Sequence, residues 1–404
     1  MEPKIYHEDA HGISLEQIDA DALYVVEKLQ YAGFTAYIVG GGVRDLVLGY
    51  HPKDIDIATS ARPEQVKRLF RNCLLIGRRF RLAHIRFGSK IIEVATFRSG
   101  DTDEDELIVR DNNWGNPQED AQRRDFTING LFYNPLDGTI IDYVNGFEDL
   151  KHRKLTTIGH PGLRFKQDPV RMIRLIKFIA RFDLQVDPFT WSNLTENCYE
   201  ILKSSPARIL EELLRMLESG YSFRFFELMH ETKLIDIVWE ELGRILDGTF
   251  KKNVSDLLKT ADQIQLTPNY PKLTREVLFC CFLWPTIDQK LRDLIETQGA
   301  HKFTALAYDL IVEQTDLLTR SFKHFPRKFR AICEWILMQQ IRLTPYDGKV
   351  IKNPRIPKHP IFGDALQLLA LRARTNPACI KHYEKWFKQY HAHLVKRMEM
   401  PEES

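Results

Sequence analysis

Two aspartates two positions apart, Asp54 and Asp56, are the residues of this chain best suited to chemistry. Side chains alternate along an extended strand, so residues two apart share a face and both carboxylates point at one spot. Ile55 and Ile57, between and after them, take the opposite, apolar side. Two anions held together on an apolar strand repel each other unless a cation neutralises them. Oxygen-only ligands with room for water favour Mg²⁺ or Mn²⁺. The plainer alternative is a pair of aspartates solvated at a strand end, and the flanking isoleucines argue against it. A metal pair of this kind serves in-line phosphoryl transfer.

Upstream stands Gly41-Gly42-Val43-Arg44-Asp45. Glycines between a strand and a helix let backbone N–H groups approach a phosphate closely, and Arg44 follows where it could pair with one. Alone, such a run reads first as a plain turn; with an Asp-x-Asp following at this distance the two together are a much sharper signal. Two metals call for a third carboxylate. Asp125, in Arg123-Arg124-Asp125-Phe126-Thr127-Ile128-Asn129, is one candidate and Glu93 is the other. Glu93 is also placed to form an ordinary ion pair with an arginine such as Arg98.

The elements that must position these residues can be read from periodicity. Ser14 to Ala32 repeats its apolar residues at helical spacing, with Ser14 and Gln17 as a capping box and Gly33 as the stop. Thr35 to Val39 reads as a buried strand, Val43 to Leu48 as a short helix and Asp54 to Ile57 as a half-buried strand. Pro63 to Phe70 reads as a helix capped by Ser60, and Ala83–Phe87 with Ile91–Phe97 as a hairpin about Gly88-Ser89. Ser99 to Glu106 is acidic and polar, as a loop would be. Helix–strand alternation resumes from Gln118 to Tyr143. After Gly159 strand signals fade, and segments such as Val170–Phe182, Arg208–Ser219 and Arg327–Gln340 are helical. The expected architecture is an α/β head, a small mixed sheet with helices, followed by an all-α body: a multidomain α+β chain.

Composition bounds the partners. Among 404 residues, 57 basic side chains face 55 acidic ones, a net charge of +2, so any affinity for nucleic acid must come from local clustering. From Arg62 to Arg98 there are ten basic residues and only Glu64 and Glu93 as acids. Phe70, Phe80 and Phe87 are interleaved there, a pattern suited to phosphate contact and base stacking; core packing is the better reading of each phenylalanine, and RNA contact that of the arginine cluster. None of the six cysteines forms a C-x-x-C pair, which argues against a zinc ribbon. The N-terminus has no apolar signal segment and Val277–Trp284 is too short to span a bilayer. A bacterial-type cytoplasmic protein is the simplest reading.

Residues 38–59 resemble the head motif of class II nucleotidyltransferases, the group that holds bacterial poly(A) polymerases and CCA-adding tRNA nucleotidyltransferases. Arg123–Asn129 resembles that family's second motif, and Asp168-Pro169-Val170-Arg171-Met172-Ile173-Arg174 its nucleotide-selecting helix. The resemblance implies that Asp54 and Asp56 hold the metals, with Asp125 in the catalytic set. It implies that Gly41, Gly42, Arg44, Arg124 and Asn129 contact the nucleotide, and that Asp168 and Arg171 read the base with Arg174 beside them. Asp168 and Arg171 are three apart, and one helix face would carry both; Gln167 stands where the family usually has Glu. The implied divisions are a catalytic head (1–158), a nucleotide-selecting neck (159–220) and a helical body with RNA-binding C-terminal region (221–404).

Leu75 to His84, Leu-Ile-Gly-Arg-Arg-Phe-Arg-Leu-Ala-His, resembles the poly(A) polymerase signature, and Arg78, Arg79 and Arg81 within it are candidate RNA contacts. His84 could touch substrate or serve structure. His324–Arg330, His359-Pro360 and Leu371–Arg374 resemble the C-terminal region of the same branch. A long basic tail found in some of that family is missing before the acidic Pro401-Glu402-Glu403, which implies weaker autonomous RNA binding. The expected activity is polyadenylation of RNA 3′ ends with ATP as substrate and Mg²⁺ or Mn²⁺ as cofactor, serving RNA processing and decay. A CCA-adding enzyme using CTP and ATP, a small-molecule nucleotidyltransferase and a non-catalytic RNA-binding protein of the same fold are the alternatives.

Overall fold

A computed structural model of the chain describes residues 2–77, 82–100, 113–298, 303–346 and 355–399. They form two compact units, Met1–Glu200 and Ile201–Ser404. The first holds a mixed sheet built from β1 (Lys4–Tyr6), β2 (Ala36–Val39), β3 (Asp56–Thr59), β4 (Cys73–Ile76), β5 (Leu82–Phe87), β6 (Lys90–Thr96), β7 (Leu131–Asn134) and β8 (Thr139–Asp142). The order across the sheet is β1-β8-β7-β2-β3-β6-β5-β4. β3 and β6 run parallel, and their neighbours are antiparallel. The expected hairpin is present, with β5 and β6 paired from Ala83↔Val94 to Phe87↔Lys90.

Alternation along the strands gives the sheet its two faces. Ile38, Ile57, Ile85, Ile92 and Val94 are almost wholly buried, as are Val25, Val26 and Leu29 of α1 (Ala20–Tyr31). Next along the chain come α2 (Gly41–Val47), packed on β2 and β7, and α3 (Pro63–Leu69), packed on β4, β5 and β6. Burial of such aliphatic side chains contributes roughly 1.5–3 kcal/mol apiece before entropy is counted. On the other face Val39, Ala58, Phe97, Ala121, Phe132 and Ile141 pack as a second cluster.

Several boundaries differ from the sequence reading, each for a local reason. Ser14 and Gln17 do form a capping box, but it closes a separate turn at Leu15–Gln17. α1 starts at Ala20, because Asp19 accepts hydrogen bonds from the N–H groups of Asp21 and Ala22 and caps it there. α3 follows Arg62, not Ser60, with Pro63 at its first position. Ser60 instead turns its hydroxyl to the Thr35 N–H. Asp54 lies in the bend before β3 rather than within it.

The rest of the first unit is helical: α4 (Pro117–Gln122), α5 (Gly146–Lys151), α6 (Pro161–Gln167), α7 (Val170–Phe182) and α8 (Pro188–Glu196). One strand pair persists beyond Gly159, where Gln185–Val186 runs parallel to Lys154–Leu155. The second unit comprises α9 (Pro206–Leu217), α10 (Ser222–Glu231), α11 (Leu234–Val238), α12 (Glu240–Asp247), α13 (Lys251–Leu266), α14 (Arg275–Gln298), α15 (Phe303–Thr319), α16 (Arg327–Leu343), α17 (Phe362–Thr375) and α18 (Ile380–Glu399). The apolar run Val277–Trp284 lies inside α14, buried on every side by α13, α15, α16 and α17. Among the described residues no helix is long and apolar enough to cross a membrane. All six cysteines are buried and unpaired.

Candidate active site

The site starts from the register of two strands. β3 and β6 pair with Asp56 directly opposite Glu93. His84 on β5 stands opposite Glu93 in turn, with its Nε2 3.3 Å from Glu93 Oε1. Asp56, Glu93 and His84 therefore form one row on the face that also carries Val39 and Ala58, and Asp54 joins them from the bend two residues earlier. Ile55 and Ile57 are buried, while Asp54 and Asp56 are exposed.

The protein surrounds this spot with like charge. The Asp56 carboxyl is pushed up to about 6: although the residue still reaches solvent, the protein around it displaces part of its hydration, and Glu93 and then Asp54 add to the effect. Arg124 is the cation that pulls the other way. The third carboxylate beside Asp56 is thus Glu93, and its ion-pair partner is His84 rather than Arg98.

Asp125 is engaged elsewhere. It is buried, and its Oδ2 lies 2.7 Å from Arg174 Nη2. The Asn129 amide (3.0 Å) and the Phe126 N–H (2.9 Å) donate to its Oδ1. Burial works against its charge, but Arg174, Asn129, Arg171 and the Phe126 N–H outweigh burial and hold the carboxyl below its ordinary range. Its Oδ1 is spent on the Asn129 amide and the Phe126 N–H, while its buried Oδ2 faces Arg174 without a hydrogen bond, so Asp125 sits in the arginine cluster and not in the row of Asp56 and Glu93.

The glycine turn works by close approach. Gly40 has φ +66°, and a Cβ there would meet Arg124 Nη1 at 2.7 Å. Gly40 is thus the glycine of the run that the backbone requires. Gly41 and Gly42 form the first turn of α2, and Gly42 packs against the Asp54 carbonyl and Ile55 Cα. Arg124 is fixed by Asp120, which accepts from its Nε (3.2 Å) and Nη2 (2.9 Å), while Nη1 donates to the Asn129 carbonyl (3.2 Å). Asp120 also holds Arg123 at 2.8 Å. These two arginines keep the buried Asp120 carboxyl low despite its desolvation.

Arg44 departs from its expected role. Its side chain is only 6% exposed. Nε and Nη2 both donate to Asp45 Oδ1 (2.9 and 2.6 Å), and Nη1 donates to Asn129 Oδ1 (2.7 Å). Its guanidinium lies 5.0 Å from the Phe178 ring centre and 4.6 Å from that of Phe182. Asp45 in turn pairs with Arg181 at 3.2 Å. With three of its five N–H donors spent on Asp45 and Asn129 and its plane beside Phe178 and Phe182, the guanidinium braces α2 against α7.

The neck residues are arranged around a helix junction. Asp168 ends α6, and α7 begins at Val170, so the shared helix face expected for Asp168 and Arg171 does not exist. They are linked through the backbone, where the Arg171 N–H donates to the Asp168 carbonyl at 2.9 Å, and the Asp168 charge acts on the Arg171 guanidinium. The Arg171 guanidinium is buried and donates to the Arg123 carbonyl (3.1 Å). Buried Arg164 donates to the carbonyls of Gln122 (2.6 Å), Arg124 (3.1 Å) and Ile158 (3.0 Å). Burial lowers the pKa of both guanidiniums, that of Arg164 to about 10. Residues 122–124 are therefore held from behind by two arginines. Asp120, Arg164 and Gly40 were not singled out from the sequence; Asp120 sits one helical turn before Arg123 and Arg124, the spacing that could have revealed it. Arg78, Arg79 and Arg81 lie outside the described residues.

Comparison with known proteins places the chain in a family. Residues 36–156 match the family described as "Poly A polymerase head domain", and residues 183–246 that described as "Probable RNA and SrmB- binding site of polymerase A". Poly(A) polymerase I of Escherichia coli O6:H1 is 36% identical over 400 residues, covering 95% of this chain and 84% of that one. A CCA-adding enzyme of Lactobacillus helveticus is 34% identical over 260 residues, covering 63% of this chain and 61% of its own. A solved structure titled "tRNA-processing enzyme (apo form I)" shares the fold, with a TM-score of 0.62 at 20% identity over 96% of this chain and 97% of that one. With a poly(A) polymerase related at this level along almost its whole length, the chain belongs to the bacterial poly(A) polymerase family of nucleotidyltransferases.

Proposed function

We propose that this protein extends RNA 3′ ends with AMP from ATP, releasing pyrophosphate, and acts in RNA processing and decay in the cytoplasm. The observation that carries the reading is the row formed by Asp56 and Glu93 on paired strands with Asp54 beside them. Three carboxylates crowd one open spot, and the Asp56 carboxyl is forced upward by its neighbours. That donor set fits hard divalent ions. Asp54 and Asp56, with Glu93 as third carboxylate in place of Asp125, would hold Mg²⁺ or Mn²⁺. Bound there, the metal supplies acidification of the RNA 3′-hydroxyl and neutralisation of the triphosphate.

The chain's own groups do the rest. Arg124, aimed past Gly40 and fixed by Asp120, neutralises charge on the nucleotide phosphates. Gly42, packed against the Asp54 carbonyl, keeps the glycine turn next to the aspartates, where the N–H groups of Gly41 and Gly42 would meet the nucleotide phosphates. Asn129, tied to both Arg44 and Asp125, holds the second motif in register with the glycine turn. Arg44 acts as a positioning residue. Half-exposed Asp168 and Arg174 stand at the start of α7 for base selection, with Arg171 reading the base only by releasing the Arg123 carbonyl. The functional divisions 1–158, 159–220 and 221–404 belong to this reading, as do RNA contacts from Arg78, Arg79 and Arg81.

CCA addition is the second reading, favoured by the likeness of more than half the chain to a CCA-adding enzyme. Primer extension separates them. Protein and Mg²⁺ are incubated with oligo(A) RNA, or with tRNA lacking its CCA end, and with ATP, CTP or both. Long ladders on oligo(A) from ATP alone are expected. Addition that stops at three nucleotides on tRNA and needs CTP overturns the proposal.

A further inference from the structure

We propose that His230, Asp236 and Asp247 form a binding site for a borderline divalent metal ion of the zinc class in the helical unit. The three residues come from three consecutive helices. His230 lies in the last turn of α10, Asp236 within α11, and Asp247 is the last residue of α12. One ligand atom from each lies within 4.8 Å of the others. His230 Nε2 is 2.9 Å from Asp247 Oδ1, and Nδ1 is 3.7 Å from Asp236 Oδ1.

Three observations point to a cation there. First, His230 Nδ1 is enclosed and has no hydrogen-bond partner. A buried ring nitrogen left unsatisfied costs free energy, and it is the atom the structure offers as ligand. Second, the Asp236 carboxylate lies directly against α12 at Gly243. A Cβ at that position would stand 2.1 Å from Asp236 Oδ1, so a bare backbone there gives the carboxylate its room beside His230. Third, the electrostatics are one-sided. The C-terminal ends of α10 and α12 meet at this spot, and helix C-termini favour cations. Asp247 adds an anion at one of those ends. Lys233, whose Nζ is 3.7 Å from Asp236 Oδ2, is the nearby cation, and its side chain is mostly in solvent.

The donor chemistry selects the ion. One imidazole and two carboxylates form a mixed nitrogen and oxygen set, which suits Zn²⁺ better than Mg²⁺ or Ca²⁺. Asp247 is exposed and can swing from Nε2 toward the ion at Nδ1. Because that side is open, water completes the coordination. Such an ion would tie together α10, α11 and α12 across residues 230–247, largely within the segment matching the second family domain.

The test uses the full chain with Asp54 and Asp56 both changed to Ala, so that the head site cannot report. After incubation with Zn²⁺ and desalting, metal content is measured, together with the thermal midpoint with and without Zn²⁺. One Zn²⁺ per chain and a raised midpoint are expected, and both should be lost on adding His230→Gln. Co²⁺ in place of Zn²⁺ should give visible absorption bands that vanish in the same variant. If His230→Gln fails to fold by circular dichroism, Asp247→Asn at the exposed position carries the comparison, with affinity expected to fall at least about tenfold. No retained zinc, or retention equal with and without these substitutions, overturns the proposal and leaves a His–Asp ion pair.

Discussion

At Asp56 loss of water and then the neighbouring carboxylates decide the behaviour. With its carboxyl pushed up to about 6 from an ordinary 3.8, the metal-free folded protein binds this proton more tightly than the unfolded chain does. The resulting stabilisation is complete below about pH 4 and is lost as pH rises through about 6. Urea midpoints of chelator-treated protein should fall over that interval. Asp56→Asn should flatten the fall, and Mg²⁺ should offset it at neutral pH. A midpoint independent of pH would show that the carboxylates do not interact. Activity gives the complementary readout: Asp54→Ala or Asp56→Asn should cost more than about 1,000-fold in kcat, over ~4 kcal/mol of barrier, without lowering the urea midpoint. Glu93→Gln should resemble them, whereas Asp125→Asn should act first on stability, because it leaves Arg174 and Arg171 facing a weaker partner.

At the scale of elements, the brace between α2 and α7 determines where the glycine turn sits. Arg44→Met leaves Asp45 with Arg181 alone and removes a buried, doubly bonded guanidinium. It should destabilise the head by about 3 kcal/mol in chemical denaturation. Arg44→Lys should recover little, since an ammonium cannot reach Asp45 and Asn129 together or lie flat against Phe178 and Phe182. Full stability in both variants would mean the brace is idle. Gly40→Ala is a sharper probe of the turn. It places a side chain at φ +66° and a methyl 2.7 Å from Arg124, at a cost of roughly 1–3 kcal/mol. The expected signature is a raised KM for ATP with the fold retained; an unchanged KM would separate Arg124 from the nucleotide.

At the scale of the whole molecule, a net charge of +2 leaves RNA attraction to local basic surface. Arg68, Arg71 and Arg86 are exposed on the head, whereas Arg98, counted in the same stripe, is buried, and so is Phe70. Phosphate contacts of this kind weaken steeply with salt. Raising salt from about 50 to 200 mM should therefore raise KM for RNA by well over tenfold, and move KM for ATP far less. A parallel rise in both would place the salt effect in the head site and not in RNA capture.

The Asp54 and Asp56 pair, the hairpin and the helical character of the described segments after residue 200 follow from sequence alone, because residue types at short spacing, alternation and helical periodicity are local. The choice between Glu93 and Asp125 is of another kind. It rests on a parallel pairing between strands almost forty residues apart, which no local pattern records; that register sets Glu93 against Asp56 and leaves Asp125 among the arginines. Arg44 likewise has the type and spacing of a phosphate ligand, and its burial between Phe178 and Phe182 assigns it to bracing. Asp168 and Arg171 are three apart in sequence, but the break before Val170 keeps them off a common helix face. Sequence thus determined which chemistry the chain can perform, since that depends on residue types at short spacing. The tertiary structure decided which of several suitable residues are free to perform it, because burial and long-range pairing commit the others to partners of their own.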